Sequence, residues 1–165
     1  MVHATDHAWT AGMIDADGSL TYQLSRPDRP HTWRPLVVVD NTDIEILHEL
    51  KRLHGGGKLT EKRKQAPHHR QAWSWRLYGA DVIIDFLSRV EPYMHCGSKK
   101  ARAGIILDEY RPLTPRNGYY TDDMKLAKVA LFDRYKSIGS GRGSQCKPGD
   151  LSGLGPGPVA SGWAS

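Results

Sequence analysis

From Thr10 to Gly18 the chain reads Thr-Ala-Gly-Met-Ile-Asp-Ala-Asp-Gly, and no other stretch restricts the fold as much. At 3.6 residues per turn, Ala8, Ala11, Gly12, Asp15 and Ala16 fall on one continuous side of a helix. A face so bare suits a second helix approaching until the backbones nearly touch. Trp9, Met13 and Ile14 on the other sides are expected to hold the helix in its own domain. Thr5 or Asp6 is expected to cap its start, and Gly18 to end it in a left-handed conformation. Asp15 and Asp17 then sit in the last turn, where the helix dipole disfavours negative charge by about 0.3–1 kcal/mol each. A local rule broken twice in three residues marks a candidate site.

Beyond Gly18 the period changes to two. Leu20, Tyr22 and Leu24 alternate with Thr21, Gln23 and Ser25, which predicts a half-buried strand. A turn at 26–30 leads to a second strand from Thr32 to Asp40, with Trp33, Val37 and Val39 inward. Thr42 and Glu45 form an expected capping box for a helix whose Ile46, Leu47, Leu50 and Leu53 face the core and which stops at Gly55-Gly56-Gly57. A second hairpin runs out from Lys58 to Lys64 and back from Ala72 to Tyr78. Trp73, Trp75 and Leu77 are expected in the core. Further helices are predicted from Ala80 to Val90, from a Ser98 cap to Tyr110, and from Thr121 to Ile138 with Met124, Ala127, Leu131 and Tyr135 inward. From Ser137 the remaining 29 residues hold 8 Gly, 6 Ser and 3 Pro, the composition of a flexible tail.

At 165 residues the chain supports one folded domain. Its net charge of +5 is unevenly spread. Residues 51–79 hold eight Lys and Arg against Glu61 alone, whereas residues 1–50 hold three basic and eight acidic side chains. The cationic segment fits a polyphosphate partner. Cys96 and Cys146 lack metal-ligand spacing, and the histidines lack the spacing of a zinc site or a His-Asn-His nuclease. No apolar run approaches a membrane span, and the N-terminus has no signal-peptide core, so a soluble protein of the cytoplasm with access to DNA is expected.

The segment Thr10–Gly18 closely resembles the signature of the LAGLIDADG homing endonucleases, differing at its first residue, Thr for Leu, and its fourth, Met for Leu. The predicted order of elements over residues 5–136 is similar to that family's αββαββα order followed by C-terminal helices. The resemblance implies an α+β fold with a curved antiparallel DNA-binding sheet in residues 1–136, and a separate tail in residues 137–165. It also implies that signature helices pack at a dimer axis through Ala8, Ala11, Gly12, Asp15 and Ala16. Asp17, with the Ala16 carbonyl, would match the family's metal ligands, with Mg²⁺ as the ion and Mn²⁺ as its substitute. Asp15 would pack and cap the helix pair. One motif per chain implies a homodimer on double-stranded DNA and a near-palindromic site cut across the minor groove.

Other positions are read residue by residue. Asn41 is either a turn-capping residue or the polar group that orders active-site water in relatives. Where the family commonly has a lysine, five residues after the proline preceding the fourth helix, this chain has Gly97, so Lys99 and Lys100 are the candidates to replace it. The non-core faces of the two hairpins present Thr21, Gln23, Ser25, Thr32, Arg34, Thr60, Lys62, Lys64, Arg70, Ser74 and Arg76 as candidate DNA contacts. The function implied is a site-specific, metal-dependent double-strand endonuclease. Its rival on the same scaffold is a non-cutting binder, either a DNA-binding regulator or an intron-splicing maturase with RNA as partner.

Overall fold

Helix α1 (Ala4–Ala16) passes into strand β1 (Gly18–Gln23) through a junction that admits only glycine at residue 18. In the computed structural model, which describes residues 2–139 apart from 25 and 65, a Cβ on Gly18 would lie 2.6 Å from the Ile14 Cα. Gly18 therefore does not end the helix in a left-handed conformation. Asp17 caps it with φ −106°, and Gly18 already pairs with Val39 in the sheet. At the other end Asp6 reaches back to accept the His3 N–H at 2.8 Å.

Strand β2 (Arg34–Asn41) begins two residues later than expected, because Pro30–Thr32 form a 3₁₀ turn closed by the Thr32 hydroxyl on the Arg29 carbonyl at 2.7 Å. Helix α2 (Ile44–His54) is capped by Asp43 rather than Thr42. The Asn41 carboxamide accepts the Asp43 N–H at 2.9 Å, which turns the chain one residue later and leaves the Asp43 carboxylate facing the Glu45 N–H. Strand β3 (Lys58–Glu61) is shorter than predicted, and β4 (Trp73–Leu77) returns beside it. Gly57, at φ +89°, lies where a Cβ would meet the Trp75 indole nitrogen at 2.1 Å, and that indole donates to the Gly56 carbonyl at 3.0 Å. The glycine run is thus a seat for Trp75 as well as a helix stop.

The strands form one antiparallel sheet in the order β1-β2-β4-β3. One face carries Leu20, Val37, Val39, Trp75 and Leu77 into the core. Helix α3 (Ala80–Val90) contributes Ile83, Phe86, Leu87 and Val90, as its spacing predicts. Helix α4 (Gly97–Gly104) widens into a π-helical segment over Ile105–Tyr110, and α5 (Asp122–Ser137) closes the described chain. The αββαββα order is therefore present, with α4 and α5 following it. The expected tail beyond residue 139, Cys146 included, lies outside the described residues. Among those described, no helix is long and apolar enough to cross a membrane.

Helix α5 departs from its expected stripe. Lys128, Leu131, Phe132 and Tyr135 are buried, while Ala127 is exposed. The Lys128 ammonium sits 3.2 Å from the Tyr110 ring centroid and 5.2 Å from that of Trp33, and it donates to the Tyr110 carbonyl and the Thr114 hydroxyl. A lysine escapes an apolar-periodicity reading, yet its stem packs like a hydrophobe and its charge rests on aromatic faces.

Burial pushes the Lys128 amine down to about 7 from its ordinary 10.5. The fold favours the neutral form, so the associated stability is present above pH 10.5 and is lost as pH falls through 7. Denaturation midpoints should rise from pH 7 to 9, and Lys128→Met should remove that rise and raise the midpoint at pH 7.

Candidate active site and nucleic-acid interface

The two acids of the signature part company at the end of α1. Asp15 turns toward its own chain, where one carboxylate oxygen accepts the N–H groups of His95 at 2.6 Å and Cys96 at 3.1 Å. Cys96 is the cap residue of α4, so this carboxylate sits on the positive end of that helix, and Ser98 does not cap it. In exchange, the Lys99 ammonium, half-buried in the first turn of α4, donates to the carbonyls of Ile14 at 2.8 Å and Asp15 at 2.7 Å. An acid of α1 caps α4, and a base of α4 caps α1. The dipole conflict seen in the sequence is thereby resolved for Asp15, since Lys99 covers the negative helix end.

Asp17 remains exposed at that end. Its carboxylate accepts from the Asn41 carboxamide at 3.1 Å, and Asp17, Asp40, Asn41, Thr42 and Ala72 line an open cleft of about 290 Å³. Asn41 therefore serves both the turn into α2 and the cleft. Asp40 is a cleft residue that sequence reading passed over, although its place one residue before Asn41 was a usable signal. Lys62 reaches from beyond β3 to the Asp40 carboxylate at 2.6 Å, and its own N–H is held by the Ala72 carbonyl at 2.9 Å. Burial raises the Asp40 carboxyl, but the Lys62 hydrogen bond, the Ser74 hydroxyl and the charges of Lys62 and Arg76 hold it net below the ordinary range. Lys100 does not line the cleft; its ammonium lies 3.7 Å from the Glu91 carboxylate.

The small-residue face needs one correction. Ala8, Gly12 and Ala16 are exposed, and a Cβ on Gly12 would meet nothing within 4 Å. Ala11, however, is fully buried with Thr10 and Ile14 in the chain's own core, and Asp15 is half-buried against His95 and Cys96. Trp9, expected inward, is 37% exposed. The open face therefore runs Thr5, Ala8, Trp9, Gly12, Ala16, rotated from the expected stripe because Ala11 packs with Ile14 in the chain's own core. Behind it, Thr10 gives its hydroxyl hydrogen to the Asp6 carbonyl at 2.8 Å and so accepts from His54 at 2.9 Å. Desolvation, with the charges of His7 and Arg89, pushes His54 down to about 4, keeping it neutral.

On the sheet face opposite the core, the register aligns Ser19, Val38, Arg76 and Lys58 in one row, Asp40, Ser74 and Thr60 in a second, and Gln23 with Arg34 in a third. Thr21 shares this face, and Lys64 and Arg70 are exposed beyond the strands. Ser74 has the expected parity but is fully buried, because the longer side chains around it cover it; its hydroxyl accepts from Arg76 at 3.2 Å. It orients Arg76 and does not itself reach a groove. Thr32 sits in the 3₁₀ turn and not on the strand. Ser25 lies outside the described residues.

No protein-family model matches the sequence, and no curated protein does. Solved structures do. The homing endonuclease I-CvuI, in complex with its target in the presence of Ca, superposes with a TM-score of 0.66 at 22% identity over 84% of this chain and 85% of that one. I-CvuI with the I-CreI target and Mg, its DNA not cleaved, gives 0.62 at 25% identity, covering 84% of each chain. The homing endonuclease I-TnaI gives 0.61 at 15% identity, over 86% of this chain and 91% of that one. The LAGLIDADG homing endonuclease I-SmaMI, bound to cleaved DNA, gives 0.61 at 19% identity, over 84% of this chain but 45% of its own. The chain has the fold of the LAGLIDADG homing endonucleases.

The exchange of helix ends sets a stability prediction. Asp15→Ala should cost about 1–2 kcal/mol, as for loss of a helix cap, and Lys99→Met about 1–3 kcal/mol. In urea denaturation the double variant should lose less than the sum of the two, by at least about 0.5 kcal/mol.

Proposed function

We propose that the chain is a site-specific, divalent-metal-dependent endonuclease of double-stranded DNA that works as a homodimer. The observation that carries this reading is Asp17, exposed in a cleft and oriented by Asn41, at the end of a helix whose small-residue face is uncovered. The hard oxygen donors of Asp17 and the Ala16 carbonyl suit Mg²⁺, with Mn²⁺ as substitute. Among the described residues no three His, Cys, Asp or Glu side chains are grouped to hold a metal. One chain thus offers one free acid at the helix end, and a second chain packed on the Ala8, Gly12, Ala16 face would supply the other. The endonucleases with this fold whose structures contain DNA support the nucleic-acid partner.

When bound, the ion supplies charge neutralisation at the scissile phosphate and a more acidic water. The chain's own residues do the rest. Asn41 fixes the Asp17 carboxylate, Lys62 neutralises the Asp40 carboxylate on the cleft wall, and Lys99 holds the helix end in place without touching the cleft acid. Thr21, Gln23, Thr60 and Arg76 present donors and acceptors to base edges, with Lys58, Lys64 and Arg70 on phosphates.

The rival is a non-cutting binder on the same fold. It is favoured by Gly97 and by the engagement of both α4 lysines elsewhere. Binding without cleavage of the cognate duplex in Mg²⁺ or Mn²⁺ would establish it, and preference for structured RNA would identify a maturase.

On the endonuclease reading, Asp17→Asn should bind duplex DNA like the wild type and lose Mg²⁺-dependent cleavage. Asn41→Ala should cleave about 10- to 100-fold more slowly. Undiminished cleavage by Asp17→Asn would overturn the assignment.

A further inference from the structure

We propose that a second cavity, between the start of β2 and the segment 110–120, binds a phosphate group, and that its natural occupant is a backbone phosphate of duplex DNA. The proposal rests on the DNA-binding reading above for the occupant, but not for the chemistry. The cavity is about 300 Å³ and is lined by nine residues, including Arg34, Arg116, Thr32, Thr114, Trp33 and Tyr120. None of the nine is acidic, and two carry guanidinium groups. Trp33 is 1% exposed, yet its indole N–H has no hydrogen-bond partner. A buried donor left unsatisfied in a native site calls for an acceptor.

The third cation lies behind the wall. Lys128 is fully buried, and its ammonium donates to the hydroxyl of Thr114, which lines the cavity. Its partners are a carbonyl, a hydroxyl and two aromatic rings, none of which bears a negative charge. Two guanidiniums line the cavity, an ammonium lies behind its wall and no lining residue is acidic, and paired guanidinium donors match a phosphate's oxygens. Burial lowers the basicity of Lys128, and an anion in the cavity would favour its charged form.

Position points to DNA. Arg34 opens β2 and Asn41 closes it, so the cavity stands roughly 23 Å from the Asp17 cleft along the strand. A phosphate held there is not the scissile one. Arg34 also pairs in register with Gln23 on the exposed sheet face, so the cavity adjoins the face that reads DNA. It would fix the duplex by its backbone where the first hairpin ends, and Arg34 would act on a phosphate instead of a base edge.

The full chain and its Arg116→Ala and Lys128→Met variants test this in two arms. In the first, inorganic phosphate is titrated in chloride buffer and followed by tryptophan fluorescence. The wild type should saturate and each variant should bind about tenfold more weakly, roughly one charged hydrogen bond. In the second, affinity for a random-sequence duplex is measured against salt. Arg116→Ala should flatten the logarithmic slope by about 1 and weaken binding equally on all sequences. Weakened phosphate binding with an unchanged DNA slope would keep the phosphate site and overturn its DNA occupant. Variants equal to the wild type in both arms would overturn the site. A wild type that shows both effects but never cuts would leave the cavity standing and remove the nuclease reading alone.

Discussion

Asp15 and Lys99 exchange helix ends, and much of the molecule is arranged by that exchange. Helix α1 ends with its carbonyls taken by a lysine from α4, and α4 begins with its N–H groups taken by an aspartate from α1. Each charge meets the helix terminus of opposite polarity, so both helices gain where a lone acid at the end of α1 would lose. Because the two residues are separated by 84 positions, the exchange also locks the first helix to the C-terminal half of the fold. What it leaves over is Asp17, which points away from α4 and into the cleft with Asn41.

The same exchange separates structure from chemistry within a three-residue segment. Asp15 is turned into its own fold, one carboxylate oxygen held by two backbone donors and the other buried without a hydrogen-bond partner among the described residues. Asp17 has one neutral hydrogen bond and open solvent. The ion pair of Lys62 with Asp40 neutralises that carboxylate on the cleft wall without drawing on α4. The sheet carries its cations on the face opposite the core, and the buried ammonium of Lys128 marks a separate concentration of positive charge at the far end of β2.

The element order was legible because each element has its own period. Small residues at helical spacing, alternating strands and a triple-glycine stop are local signals, and local signals survive in a bare sequence. The side that α1 turns to its own core was not legible: alanine is equally suited to either side, and only the Ile14, Ala11 and Thr10 packing decides that Ala11 faces inward. Asp15 could be placed at a helix joint, but its partners lie 80 and 81 positions away, so the joint was assigned to a second chain when it is made within this one. Ser74 had the right parity and the wrong depth, because parity says which face a residue takes and nothing of the side chains that cover it. Lys128 was invisible to a reading that treats lysine as a surface residue.

The division of labour between the two acids is the claim on which the site depends, and paramagnetic Mn²⁺ tests it directly. Added to the isotopically labelled protein, the ion should broaden the backbone amide signals of residues 16–18 and 40–42. The broadening should persist in Asp15→Asn and vanish in Asp17→Asn. Broadening that vanishes in Asp15→Asn, or that survives in Asp17→Asn, would contradict the account.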